Sequence, residues 1–254
     1  MGPGRTFADF ARDEASRGKR SLRFDFSGFG TSGRGNSSQG GDLYTDEGAC
    51  DVQAAIEYLH QEGHEQIFGL GFCAGAWSMM QAEAASDLQR MVAINVALYR
   101  QPGPAEPELM KRTRRRLANL SPAHARIPLL QGIVARVLRV GSQSSQPVEW
   151  LVRMCNAGVG VRLAYAEFDP GLEYLRGQMA IGLCEQVRHP FEVQTYSGLG
   201  HLAEGPSARE RLFHDISDYF ARADLEGHCQ SNCTVGDAGV CEVGPGHATP
   251  SKTS

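Results

Sequence analysis

The chain has 254 residues, 41% of them hydrophobic and 21% charged, with a formal net charge of −4. That balance describes an ordinary globular protein, long enough for one α/β domain with a small insertion. It gives no basis for nucleic-acid or anionic-membrane affinity, and no apolar run approaches the roughly 20 residues of a membrane span.

Seven cysteines, at positions 50, 73, 155, 184, 229, 233 and 241, are odd in number and scattered, which argues against a disulfide framework. Met1 to Arg20 is polar and lacks the apolar core of a signal peptide, which favours the cytosol. Phe7-Ala8-Asp9-Phe10-Ala11 starts an amphipathic helix that ends near Gly18. Ser21 to Phe26 reads as a strand emptying into the glycine-rich loop Ser27 to Gly35. That loop lacks the third glycine and the helix of a dinucleotide fold. Asp42 to His60 carries a helix with Ala49, Val52, Ile56 and Leu59 on one face, Thr45 as N-cap and Gly63 at its close.

Gln66-Ile67-Phe68 then leads through Gly69-Leu70-Gly71-Phe72-Cys73-Ala74-Gly75 into the helix-forming run Trp77 to Ala85. A strand, a G-x-C-x-G turn and a helix succeed one another directly. Glycines two residues either side of Cys73 are expected because neighbouring backbone crowds so sharp a turn. Arg90 to Val96 is the next buried strand. Three β-α units in succession point to a parallel sheet with helices on both faces.

From Leu98 to about Ser145 the composition changes. Pro102, Pro104 and Pro107 open a segment holding the basic cluster Lys111 to Arg116 and an amphipathic run from Leu129 to Val140. This is the composition of a helical cap inserted at about 98–145. The basic cluster reads better as a solvated helix face than as an anion site. Pro147 to Ala157 is a helix with Gly158 at its end. Val161 to Tyr165 is a strand ending at Glu167-Phe168-Asp169-Pro170-Gly171. A helix from Leu172 to Val187 leads to the last strand, Phe191 to Tyr196, which ends at Ser197-Gly198-Leu199-Gly200-His201. The final helix runs from about Pro206 to Phe220. Residues 1–225 form the core, and 226–254 have the composition of a disordered tail. Its Cys229, Cys233 and Cys241, with His228 and His247, match no common zinc spacing, and no metal or cofactor is expected.

Cys73, Asp169 and His201 each sit just past the end of a different strand, where a parallel sheet collects its sites. An activated nucleophile needs a base beside it and a third group to orient that base. Cys73 could instead be a buried core thiol, although flanking glycines on a strand-helix turn are odd for that. Glu167 and Glu173 compete with Asp169 for the acid. His124, His189 and His214 compete with His201, but His189 precedes a proline and His214 lies within a helix.

The order nucleophile, acid, histidine is that of the α/β-hydrolases, and the chain resembles that superfamily from its first residues to about Ala223. Phe24 to Ser32 is similar to its D-x-R-G-x-G-x-S loop, and the Cys73 turn to its nucleophile elbow. Gly71 to Ala76 and Asp169 to Leu175 look most like hydrolases associated with bacterial exosortase systems. A cysteine elbow is also similar to that of dienelactone hydrolase and, more remotely, of polyhydroxyalkanoate synthases.

The resemblance implies an α/β-hydrolase-like, mostly parallel sheet that is N-terminally truncated, because two or three strands normally precede the opening helix. It implies a Cys73–His201–Asp169 triad acting on small esters, lactones or thioesters, with the Ala74 N–H as an oxyanion donor. A second donor would fall to Gly2 or Gly4. A raw sheet edge beside the first remaining strand would invite pairing with another chain. Acyl transfer through the same triad, and a non-catalytic protein with an incomplete oxyanion hole, are the alternatives.

Overall fold

Arg90–Ile94 (β2) is buried at every residue, so both faces of this strand are covered. It is one of the central strands of a parallel sheet in a computed structural model that describes residues 5–30, 32, 44–99, 146–180, 182–226 and 243–244. The other strands are Phe68–Phe72 (β1), Gly160–Ala166 (β3), Glu192–Tyr196 (β4) and Val243–Gly244 (β5). They lie side by side in chain order, every neighbouring pair parallel. Register is continuous across the sheet, with Phe72 opposite Ile94 and Ile94 opposite Ala164.

Side chains alternate across a strand, so β2 feeds two separate cores. Met91 and Ala93 point to one, shared with helices Asp46–Gln61 (α2), Ala74–Gln81 (α3), Gln146–Asn156 (α4) and Pro170–Ala180 (α5). Val92 and Ile94 point to the other, which is closed by Thr6–Ser16 (α1) and Pro206–Glu226 (α6). α1 supplies Phe10, and α6 supplies Leu212, Ile216, Tyr219 and Phe220. Helices therefore cover both faces, as the β-α repetition predicts.

Two fastenings hold the layers. The Arg153 guanidinium of α4 donates to the carbonyls of Met80, Gln81 and Ala82 at 2.7, 3.3 and 2.7 Å, satisfying acceptors left open at the end of α3. On the opposite face, Ser217 of α6 donates to the buried Glu14 carboxylate of α1 at 2.6 Å.

Local expectations and structure part company at several places. Ser21 to Phe26 is not a strand: it has no ladder assignment, and Leu22 and Phe24 are 45% and 46% exposed. Among the described residues no strand lies on the outer edge of β1, so this segment has no sheet to join. The turn after it is anchored by Asp51 of α2, which accepts from the Ser27 N–H at 2.7 Å and the Ser27 hydroxyl at 2.8 Å. The predicted helix to Val187 stops at Ala180, and Gly182 (φ 97°) turns the chain into a short 3₁₀ segment, Leu183–Gln186. Thr45 does occupy the N-cap position of α2, but its side chain makes no capping hydrogen bond.

Gly2, Gly4, the segment 100–145 with Arg114 and the basic cluster, and the cysteines and histidines of the tail lie outside the described residues. Within that tail, Val243–Gly244 pairs with Val193 and Gln194 as a two-residue edge strand. Among the described residues no helix is long and apolar enough to cross a membrane.

The glycines around Cys73 behave differently from each other. A Cβ on Gly71 would lie 2.5 Å from the Ala76 Cα and 2.7 Å from its nitrogen, so β1 and α3 meet there with no room for a side chain. A Cβ on Gly75 would meet nothing within 4 Å. The expectation that both are sterically required is corrected: crowding comes from α3 folding back over the strand, and Gly75 lies on its open side. Gly71→Ala should lower stability by about 1–3 kcal/mol by overpacking rigid backbone. Gly75→Ala should hold or gain stability, since alanine favours a helix by about 0.5–1 kcal/mol. Paired urea denaturation curves would check both, and equal losses would contradict this reading.

Candidate active site

The carboxyl ends of β1, β2, β3 and β4 form one rim, because the parallel ladder continues for a residue past each strand. The Cys73 N–H donates to the Ile94 carbonyl at 2.8 Å, the Asn95 N–H to Ala164 at 2.8 Å, and the Glu167 N–H to Tyr196 at 3.3 Å. Residues far apart in sequence are thereby set beside one another.

Cys73 sits where β1 turns into α3, with φ 49° and ψ −114°, a backbone conformation uncommon for a residue with a side chain. Its carbonyl already accepts the Trp77 N–H at 3.0 Å, as the first bond of the helix. The thiol is partly exposed. Its Sγ lies 3.7 Å from His201 Nε2 and 3.1 Å from the Tyr44 hydroxyl.

His201 comes after β4 in a tight loop, in which the Leu202 N–H donates to Glu204 Oε2 at 2.9 Å and the Gly200 N–H to the Glu204 carbonyl at 3.1 Å. Its Nδ1 is 2.6 Å from Asp169 Oδ2. The imidazole is half exposed whereas the Asp169 side chain is only 3% exposed. Asp169 uses its two oxygens separately. Oδ1 accepts the Gly171 N–H at 2.8 Å, as an N-cap does at the start of α5, with Pro170 at the first helical position. Oδ2 is left for the histidine, and the helix fixes its direction.

Asn95 joins the loops. It has φ 48° and is fully buried; its amide nitrogen donates to the His201 carbonyl at 2.8 Å, and its amide oxygen accepts the Ala166 N–H at 2.8 Å. One side chain thus ties the histidine loop to the strand end that leads to Asp169.

The electrostatics derive from these contacts. Burial by itself would push the Cys73 thiol up. Hydrogen bonds from His201 and Tyr44, the His201 charge and the Ala74 N–H outweigh burial and hold it below its ordinary value. The hydrogen bond to Asp169, then the one to Cys73, push His201 up to about 10 against the opposing effect of burial. Each charge favours the other, so the contact shifts the pair towards a thiolate beside an imidazolium.

No protein-family model matches the chain, and no curated protein sequence does. Solved structures do resemble it. A monoacylglycerol lipase from Paleococcus ferrophilus matches with a TM-score of 0.51 and 18% identity, over 88% of this chain and 91% of that one. A thermophilic esterase from Thermogutta terrifontis matches with 0.50 and 16%, over 86% of each chain. A putative non-heme bromoperoxidase, BpoC, from Mycobacterium tuberculosis matches with 0.52 and 17%, over 87% and 89%. The chain has the α/β-hydrolase fold. At these identities the likeness concerns architecture alone.

Cys73, Asp169 and His201 meet on the rim of this α/β-hydrolase fold, and the Ala74 N–H acts on the Cys73 sulfur. The competing residues lie elsewhere. Glu173 pairs with Arg176 at 2.6 Å, His214 with Asp218 at 3.4 Å on α6, and Glu167 and His189 are exposed. His124 is outside the described residues. Tyr99 is buried edge-on against Tyr174, and Trp150 packs on Trp77. Tyr44 and Asn95 carry no signal in the sequence. Asn95 reads there as one more residue of a buried strand, and Tyr44 as an aromatic beside a helix start.

Alkylation of Cys73 by iodoacetamide, followed by peptide mass spectrometry, should reach half its maximal rate at a pH below the ordinary thiol range. His201→Ala should return the midpoint towards the ordinary thiol range, about 8.5. An unchanged midpoint would contradict the ion pair. Asn95→Ala should cost about 1–3 kcal/mol in chemical denaturation, because it strands the buried Ala166 N–H and frees the His201 loop.

Proposed function

We propose that this protein hydrolyses small carboxylic esters, lactones or thioesters through a Cys73–His201–Asp169 triad and an acyl-enzyme. The observation that carries the reading is the pairing of Cys73 Sγ with His201 Nε2 at 3.7 Å, while Asp169 holds the opposite ring nitrogen at 2.6 Å. A thiolate on a positive-φ turn at the head of a helix stands clear of its strand and can be approached by substrate.

In this mechanism Sγ attacks the acyl carbon. The new C–S bond forms as the carbonyl π pair moves onto oxygen, where the Ala74 N–H stabilises it. The intermediate collapses by expelling the leaving group, which takes the proton from His201 Nε2. The neutral imidazole then removes a proton from water as that water attacks the thioester, and Cys73 departs as thiolate. Asp169 keeps the Nδ1–H tautomer in place throughout.

Phe168 and Leu202, neighbours of Asp169 and His201, are exposed to 48% and 45%. Exposed apolar side chains next in sequence to the acid and the base suit a substrate with a hydrocarbon acyl group better than a highly charged one. The resemblance to exosortase-associated hydrolases rests on the elbow and the Asp169 turn. A thiolate is also a good leaving group, so transfer of the acyl group to an alcohol or amine belongs to the same reading.

With p-nitrophenyl acetate or butyrate, the protein should release a burst of nitrophenol equal to one acyl group per chain, followed by turnover. Cys73→Ala should abolish both. Absence of any acylation in a folded sample would overturn the proposal.

A further inference from the structure

The Tyr44 hydroxyl is 3.1 Å from Cys73 Sγ, on a residue that precedes α2 and lies 29 positions before the cysteine. Its ring stands edge-on to Trp77, with centroids 5.5 Å apart and an interplanar angle of 82°. Trp77 lies one turn into α3 from Cys73 and is itself held edge-on by Trp150 at 5.0 Å. The phenol ring is thus packed on an aromatic of the elbow helix that is braced in turn by one from α4, with its hydroxyl at the sulfur.

Either atom could donate in this contact, but once His201 has taken the Cys73 proton the thiolate has none to give and the tyrosine is the donor. This contact is among those that hold the Cys73 thiol down. When Sγ bonds to an acyl carbon, the negative charge leaves sulfur for the carbonyl oxygen, which is attached to the atom that Sγ has just joined. A donor already within hydrogen-bond reach of Sγ has only to turn its O–H to track that charge.

We propose that Tyr44 is a catalytic residue, the side-chain donor of the oxyanion hole, complementing the Ala74 N–H. This rests on Cys73 being the nucleophile. In the resting protein its O–H donates to the thiolate. As the C–S bond forms and the carbonyl π pair moves onto oxygen, the hydrogen bond passes to the oxyanion, and the proton stays on the phenol. The same donor serves the second tetrahedral intermediate, in which water has attacked the thioester. There the sulfur carries no charge until it leaves.

That second step separates the proposal from a role in thiolate stabilisation alone. Tyr44→Phe keeps the ring on Trp77 and removes only the hydroxyl, and unchanged tryptophan fluorescence would report that the packing is intact. In stopped-flow measurements with p-nitrophenyl acetate, Tyr44→Phe should slow acylation and deacylation alike, each on the order of a hundredfold. The alkylation midpoint of Cys73 should also rise. Slower acylation with an unchanged deacylation rate would overturn the proposal and leave Tyr44 as a partner of the thiolate only. Two unchanged rates would overturn it as well. Should Tyr44→Phe fail to fold, Tyr44→Leu is measured by the same pair of rates. If the unaltered protein forms no acyl-enzyme at Cys73, the nucleophile reading and this inference fall together; if it does and the variant equals it, only this inference falls.

Discussion

The constraint on which the rest of this structure depends is the backbone of Cys73, held at φ 49° between β1 and α3. A non-glycine residue in so sparse a region costs on the order of 1–3 kcal/mol and persists only where its surroundings over-determine it. Here the Cys73 N–H completes the ladder to Ile94, and its carbonyl starts the hydrogen bonding of α3. Gly71 lets the helix lie against the strand it has just left. Relaxing the turn would break both connections and separate β1 from α3. The strain is thus carried by the sheet, and its product is a thiol lifted to the open rim.

Around that point the fold economises on groups. Asp169 is at once the cap of α5 and the partner of His201, one carboxylate oxygen for each. Asn95 holds the histidine loop with its amide nitrogen and the β3 terminus with its amide oxygen. These are short contacts made by small side chains with few rotamers. They fix the direction of the imidazole, although the ring itself is half exposed. A rigid second layer beneath an accessible base is a workable compromise: the base must meet a leaving group and water, while its orientation must not drift.

Charge is managed by the same geometry. Partial burial would push the Cys73 thiol up were it not for three hydrogen-bond donors converging on it from His201, Tyr44 and the head of α3. Each comes from a different part of the chain, so the thiolate is a property of the assembled rim.

The sequence alone determined the features that depend on neighbours a few residues apart. Buried runs at strand length, helical periodicity, and glycines beside Cys73 are all short-range signals, and they located β1 to β4 and the six helices, although the ends of α5 and α6 were misplaced by six or seven residues. Chain order at successive strand ends was enough to single out Cys73, Asp169 and His201 as candidates, because parallel β-α units put every such loop on one side. The features that the sequence could not determine were consequences of contact between distant segments. Ser21 to Phe26 has the composition of a strand, yet a strand exists only where a neighbour accepts its hydrogen bonds, and the β1 edge offers none among the described residues. Gly71 and Gly75 look equivalent until α3 folds back over only one of them. Tyr44 reaches Cys73 and Asn95 reaches His201 across separations of 29 and 106 residues. No local pattern encodes such meetings, and the tertiary packing of the rim decides them.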